Sequence, residues 1–288
     1  MADPILKWAG GKRSLIPNIL ALLPSDYRDR TYHEPFFGGG ALFFKIGPKF
    51  GSINDINHRL INFYKVVRDK PREIIAVARQ YKHDKEIFYK LRDRFNQPRL
   101  SDVEDAALLL YLNKTAFNGL YRVNSKGLFN VPFGSYKNPK IVPEERIRSA
   151  SKTLKNIEIF CTDFDYVIEY AQEGDICYFD PPYQPVSKTS NFTSYSSKGF
   201  SFDDQARLRD TCLKLHEKGV FFVLSNSHIK EIIELYNKID IFRIKTVQAK
   251  RRISSKASTR GPINEILVTN IPEGISRSSS SITSFFED

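Results

Sequence analysis

The sequence predicts an α/β fold built on a largely parallel sheet, with a helical module inserted into it. Three features carry that expectation. Short apolar runs of strand length alternate with amphipathic stretches of helical period, the pattern of strand–helix–strand units. A glycine turn, Gly38-Gly39-Gly40, follows an early strand, and the next strand runs into an acid, Asp55, as in the crevice-forming part of an open α/β sheet. Between about residues 57 and 144 the alternation stops, and charged helices and a polar hairpin-like stretch take over.

In order along the chain, Lys7-Trp8-Ala9-Gly10-Gly11-Lys12 leads into an amphipathic helix ending near Pro24. Backbone N–H groups and a lysine before a helix suit an anion, although Gly-Gly-Lys is common in turns and the spacing is not that of a P-loop. Tyr32 to Gly40, followed by Ala41 to Phe44, reads as strand, glycine turn and helix. Glycines let a backbone approach a ligand where a Cβ would collide. The strand Ser52 to Ile56 carries Asp55, which suits a ribose-binding carboxylate and equally a helix N-cap. Charged helical pattern runs from Asn57 through Phe95, and after Gln97-Pro98 a helix spans Val103 to Leu112. Phe117 to Pro132 has strand–turn–strand character, with Ser125-Lys126-Gly127 as the turn. Arg122 and Asn124 fall on one face of this hairpin, suited to reading base edges or, equally, to a structural hairpin with solvated polar residues.

Helix returns at Glu144 to Leu154. Strands are expected at Ile157–Cys161, Ile176–Phe179, Val220–Ser225 and Glu265–Thr269, the last closing the sheet, with helices at Phe202–Lys218 and Ile229–Asn237. The implied division is a core of residues 1–56 and 145–272, an inserted module of 57–144 and a serine-rich tail, 273–288, expected to be disordered.

Composition narrows the class. At 288 residues and 41% hydrophobic the chain can bury a substantial core. Met1 to Leu15 carries charges and glycines, so no signal peptide is expected, and no stretch is long enough to cross a bilayer. Cys161, Cys177 and Cys212 are few and far apart, which suggests buried thiols in the cytoplasm rather than a disulfide framework or a metal site. A formal net charge of +11 points to a polyanionic partner. No acid occurs between Asp240 and Glu265, whereas Lys245, Lys250, Arg251, Arg252, Lys256 and Arg260 do, and such clustering favours phosphate contacts.

The stretch with the strongest chemical character is Asp180-Pro181-Pro182-Tyr183. Two prolines without N–H donors and with fixed φ stiffen the loop at the carboxyl end of the Ile176–Phe179 strand, where ligands bind in open α/β sheets. In isolation these residues would read as a polar turn.

Together with its surroundings the motif resembles the DNA adenine methylases of the Dam type. The matching elements are Lys7 to Lys12 (KWAGGK), Glu34 to Gly40 (EPFFGGG), Asn54 to Asn57 (NDIN), Asn118 to Asn124 (NGLYRVN), Asn130 to Gly134 (NVPFG), Asp180 to Tyr183 (DPPY) and Asn191 to Tyr195 (NFTSY), in order across about residues 5 to 270. The resemblance implies a Rossmann-like, S-adenosylmethionine-dependent methyltransferase sheet with an inserted, mainly helical DNA-recognition domain carrying a β-hairpin. It implies catalysis by Asp180, Pro181, Pro182 and Tyr183. The cofactor would be held by Trp8, Lys12, Gly38, Gly40, Asp55, Asp163, Phe164 and Asp180, with Asp55 on the ribose and Asp163-Phe164 at the adenine.

Double-stranded DNA is the implied partner, and GATC the implied site. Arg122 would read a guanine, with Asn118, Leu120, Asn124, Pro132 and Tyr136 at bases or at the gap left by a flipped one, and Lys7, Lys114, Phe117 and Lys137 also on DNA. Lys114 and Phe117 stand where the bacterial housekeeping enzyme has an arginine and a tyrosine, which affects flanking contacts more than the core site. Ile253 to Arg260 resembles the family's late basic loop, expected on phosphates. A monomer or weak dimer is expected, and a cognate restriction endonuclease is a possible companion. The rivals are an N4-cytosine methylase, which more often has Ser before the prolines, a methylase of RNA or of protein glutamine, and a catalytically silent DNA-binding protein.

Overall fold

The computed structural model describes residues 3–183, 200–250 and 262–275. The Asn191 to Tyr195 and Ile253 to Arg260 segments, and the tail from residue 276 onward, lie outside the described residues.

The elements are α1 (Ile16–Leu22), β1 (Tyr32–Glu34), α2 (Ala41–Ile46), β2 (Gly51–Asn54), α3 (His58–Asp69), α4 (Pro71–Ala78), α5 (Lys85–Phe95), α6 (Asp102–Thr115), α7 (Glu144–Leu154), β3 (Ile157–Phe160), α8 (Val167–Tyr170), β4 (Ile176–Phe179), α9 (Phe202–Glu217), β5 (Phe221–Ser227), α10 (Lys230–Asn237), β6 (Arg243–Lys250) and β7 (Pro262–Thr269). The strands form a seven-stranded sheet in the order β3-β2-β1-β4-β5-β7-β6. Pairing is parallel for β3 with β2, β1 with β4 and β4 with β5, and antiparallel for β5 with β7 and β7 with β6. A Rossmann-like methyltransferase sheet has this mostly parallel, mixed form. No helix of the described residues is long and apolar enough to cross a membrane.

The described residues separate into two compact units, 3–11 with 37–163, and 12–36 with 164–183, 200–250 and 262–275. In the first, α6 is the central support. Ser101 caps it by accepting the Glu104 N–H, acids fill its first turn and Lys114 its last, all favourable to the helix dipole. Ala106 to Leu112 are buried without interruption, so α6 is enclosed on all sides. In the second unit β4 is buried at all four positions, and α9 and α10 contribute Leu208, Cys212, Leu215 and Ile232 to the same apolar core as its Cys177 and Phe179. A capping box of Ser201 and Asp204 starts α9.

Four expectations need correction. Glu265–Thr269 does not close the sheet: β7 is interior, and the edge is β6, where Arg243 and Lys245 supply the charges that protect a sheet edge. The helix after Lys12 starts only at Ile16. Phe117 to Pro132 builds no ladder. It is a minimal hairpin, with an isolated bridge between Val123 and Phe129, backbone bonds from the Asn124 N–H to the Leu128 carbonyl and from the Asn130 N–H to the Arg122 carbonyl, a second bridge from Ala116 to Phe133, and Asn124 Oδ1 accepting the Lys126 and Leu128 N–H groups. Cys161 is exposed, because β3 ends one residue before it, whereas Cys177 and Cys212 are buried.

Candidate active site

β4 runs directly into Asp180. Ser225, on β5, donates its hydroxyl to Asp180 Oδ1 at 3.0 Å, and Lys12 Nζ lies 3.1 Å from the same oxygen. The Tyr178 hydroxyl is 3.1 Å from Ser225 Oγ, extending the chain of bonds into the sheet. Burial pushes the Asp180 carboxyl above its ordinary value, and the Lys12 ammonium and the Ser225 bond pull it back. The Tyr183 hydroxyl donates to Glu265 Oε2 at 2.6 Å. Lys12 Nζ sits 4.2 Å from the Tyr183 ring centroid and 4.0 Å from that same Glu265 oxygen. Burial holds the Tyr178 and Tyr183 phenols well above their usual value, so both are neutral donors. The carbonyl of Pro182 is taken by Gln205 Nε2 at 3.1 Å, and Gln205 is itself fixed by Asn226 at 2.9 Å. The loop is therefore stiffened by its prolines and tied to α9 and β5.

In the other unit, β2 delivers Asp55. The helix that follows is capped by Asn57, whose side chain accepts the Arg59 and Leu60 N–H groups. Asp55 is left for another task. Its Oδ2 accepts the Gly38 N–H at 3.0 Å and its Oδ1 the Asn57 N–H at 2.9 Å. Desolvation raises its pKa against those two bonds, which leaves a carboxylate with one backbone donor on each oxygen and capacity for hydroxyl donors.

The glycines before it serve the protein's own packing. A Cβ on Gly38, at φ +50°, would lie 2.9 Å from Trp8 Cδ1, and one on Gly40, at φ +64°, only 2.5 Å from Phe37 Cζ. Trp8 is in turn stacked on Tyr121, with centroids 5.2 Å apart. Asn54 clamps the start of the Thr162-Asp163 segment by bonding both the N–H and the C=O of Thr162; Asp163 is exposed. Phe164, in the second unit, is 5% exposed. Its ring stacks on Phe36 at 5.3 Å and lies 4.5 Å below the Arg207 guanidinium, so it serves packing there.

Lys7, Lys114, Phe117, Asn118, Leu120, Arg122, Asn124, Pro132, Tyr136 and Lys137, expected on DNA, belong to the first unit, whereas the basic Lys245 and Lys250 belong to the second. Phe117, Asn118, Arg122, Asn124, Pro132 and Lys137 are exposed, and Leu120 and Tyr136 are half-buried. Asn118 holds a left-handed backbone, φ 53°, which presents it beside Phe117. Arg122 Nε donates to Asn130 Oδ1 at 2.8 Å. Lys7 Nζ lies 4.8 Å from the Tyr136 ring centroid, and Lys114 Nζ is engaged by the carbonyl of Ile5.

Residues 8–253 match the family of D12 class N6 adenine-specific DNA methyltransferases. The chain belongs to that family. It is 48% identical over 274 residues to the type II methyltransferase M1.LlaDCHI of Lactococcus lactis subsp. cremoris, covering 93% of this chain and 95% of that one. It is 42% identical over 287 residues to the type II methyltransferase M.MjaIII of Methanocaldococcus jannaschii, covering 93% and 98%. Against the DNA adenine methylase of Escherichia coli (strain K12) identity is 33% over 275 residues, covering 94% and 96%. The protein is thus an adenine-specific DNA methyltransferase that acts on N6, and DNA is its substrate.

Three residues at this methyltransferase's Asp180 loop escaped the sequence analysis: Ser225, Gln205 and Glu265. The signals were present, as a polar Ser225-Asn226-Ser227 end to an otherwise apolar strand and as an acid immediately before Ile266-Leu267-Val268. What hid them is that their partners are far away in sequence.

Proposed function

We propose that this methyltransferase moves a methyl group from S-adenosylmethionine to N6 of adenine in duplex DNA, within GATC, by flipping the target base and directing its amine with Asp180. The observation that carries the reading is the Asp180 carboxylate, raised in pKa yet tethered through a single oxygen, Oδ1, on a loop whose prolines donate nothing.

An exocyclic amine on adenine is a poor nucleophile because its lone pair is delocalised into the ring. Asp180 and the Pro181 carbonyl accept the two N–H bonds of that amine, which draws the nitrogen out of conjugation. Positioning does most of the remaining work. The base is out of reach inside a duplex, so it leaves the stack and rests on Tyr183.

S-adenosylmethionine supplies an electrophilic methyl on a sulfonium centre. The residues present suit it. Asp55 retains acceptor capacity for the ribose hydroxyls, Trp8 offers an aromatic face to a cation, and Asp163 with the Phe164 main chain suits the adenine. Gly38, Gly40, Lys12 and Asp180 complete the proposed set.

Within residues 57–144, the proposed target-recognition domain, Arg122 reads a guanine through O6 and N7. Asn118, Leu120, Asn124, Pro132 and Tyr136 attend the neighbouring bases or the gap, Phe117 offers a ring for intercalation, and Lys7, Lys114 and Lys137 add positive charge. The names of the Lactococcus and Methanocaldococcus relatives, both type II methyltransferases, support a place beside a restriction endonuclease of the same specificity. The enzyme works in the cytoplasm as a monomer or weak dimer.

Expression in cells lacking adenine methylation, followed by genome-wide mapping of modified bases, tests the whole reading. N6-methyladenine confined to GATC is the expected result, and methylation at another sequence refutes the specificity. Asp180→Ala should abolish transfer with DNA binding retained; turnover in that variant removes Asp180 from the mechanism.

A further inference from the structure

Glu265 is an acid on an interior strand. β7 is bonded on both edges, with Glu265 in register with Ser227 of β5 and Val247 of β6, and Ile266, Leu267 and Val268 after it are core. A carboxylate there, with a side chain 15% exposed, is costly to bury unless partnered. Its partners are the Tyr183 hydroxyl at 2.6 Å and the Lys12 ammonium at 4.0 Å. The ammonium is closer to Asp180, at 3.1 Å, so one buried cation stands between two carboxylates.

That arrangement poses a problem for the reaction. Lys12 holds Asp180 through Oδ1 and draws charge from the group assigned to the adenine amine, and a lysine only 11% exposed needs a carboxylate partner wherever it moves. A second carboxylate within reach removes the difficulty, since the ammonium can change partner with a small movement and stay paired throughout. We propose that Glu265 is a positioning residue, the alternate seat of Lys12 when Asp180 engages the target amine, and the anchor that meanwhile fixes the ring of Tyr183. The proposal rests on the reading of Asp180 as the amine's acceptor.

Glu265→Gln isolates the charge, because glutamine still offers Tyr183 an oxygen. The charged or titratable groups facing Asp180 are Lys12, Glu265, Tyr178 and Tyr183, with Ser225 as a neutral donor. Removing the Glu265 charge leaves Lys12 wholly on Asp180. Two consequences follow in steady-state methylation of a GATC duplex: the kcat plateau falls about tenfold with KM for DNA unchanged, and the acid limb of kcat moves to lower pH. A residue that merely supports the strand would lower kcat without moving the limb. Glu265→Asp keeps the charge, so its limb stays in place and its kcat falls less. In a Lys12→Met background, single-turnover rates should change by less than about twofold on adding Glu265→Gln. Wild-type kcat in Glu265→Gln, an unmoved acid limb, or full additivity with Lys12→Met overturns the proposal. Asp180→Ala run alongside separates the two failures. If it still turns over, the underlying reading is wrong; if it is inactive and Glu265→Gln is normal, only Glu265 is misassigned.

Discussion

Replacing Asn113 with alanine should loosen the Trp8 loop and destabilise the first unit by about 3 kcal/mol. Asn113 is a buried amide near the end of α6, 2% exposed, and its side chain bonds to the Lys7 loop and to the 3-10 turn Phe117–Gly119. Its Oδ1 accepts the Lys7 N–H at 2.8 Å, and its Nδ2 donates to the Lys7 carbonyl at 2.7 Å and the Gly119 carbonyl at 3.1 Å. Each bond contributes roughly 1 kcal/mol net, and a buried acceptor left unpaired costs about 1–3 kcal/mol. The Lys7 groups are part-buried and can turn to water, so only the Gly119 carbonyl incurs much of that second cost. The sum is therefore nearer the cost of three lost bonds than of three orphaned groups.

Urea denaturation measures the change, read as a shift in midpoint at constant slope. The chain has one tryptophan, and it is Trp8, stacked on Tyr121 and pressed against Gly38. Native-state fluorescence therefore reports this loop alone, and a red shift is expected. A loss below about 1 kcal/mol together with unaltered Trp8 emission would refute the clamp.

Other outcomes follow from the same geometry. Arg122→Ala should cost about 1–3 kcal/mol in discrimination at one base pair; a uniform loss across all DNA sequences would make Arg122 a phosphate contact instead. If Asp180 accepts the amine as proposed, it does so only when ionised, and because burial raises its pKa activity should be present above that raised value and lost as pH falls through it. The acid limb of kcat should lie above about 3.9, the value of a free aspartate, and a limb at or below it would contradict the burial argument. Gly40→Ala, with φ +64° and a Cβ 2.5 Å from Phe37, should destabilise by about 1–3 kcal/mol in urea titration; an unaffected midpoint would mean that Phe37 can move aside.

The parts of the fold legible in the sequence were those with a local cause. β4 is a continuous apolar run between turn residues, and α7 begins and ends where its period does. β6 is not legible because Arg243 to Lys250 lacks the period of a strand: Ile244 and Val247 fall on opposite faces, so neither face reads as apolar. The hairpin is present but short: backbone bonds join Asn124 to Leu128 and Asn130 to Arg122 around one bridge, and the Asn124 side chain bonds to its own turn, which competes with a longer ladder. At the candidate site, Asp180 and Asp55 could be found from motif context. The groups that set their environments, Ser225 and Glu265 for the first and the N–H groups of Gly38 and Asn57 for the second, depend on sheet order and on how the glycine turn closes.

Those environments also suit the three acids to the three tasks proposed for them. Asp55 is held by two backbone N–H dipoles, which stabilise a carboxylate without a mobile counter-charge and keep it a fixed acceptor for neutral hydroxyls. Glu265 is held by a neutral phenol and shares a cation, so its bonds tie down other side chains. Asp180 takes its bonds on one oxygen, from a hydroxyl and an ammonium. The bond to the ammonium is the one that can be exchanged, because Lys12 has a second carboxylate beside it, whereas Ser225 is fixed in a strand paired on both edges. On the proposed mechanism the amine would meet a carboxylate whose direction is held by Ser225 and whose charge is modulated by Lys12, and mutations at those two positions should differ accordingly. Loss of the Ser225 hydroxyl should blur the aim of Asp180 and lower kcat at every pH, while loss of the Lys12 charge should also raise the pH at which Asp180 begins to act.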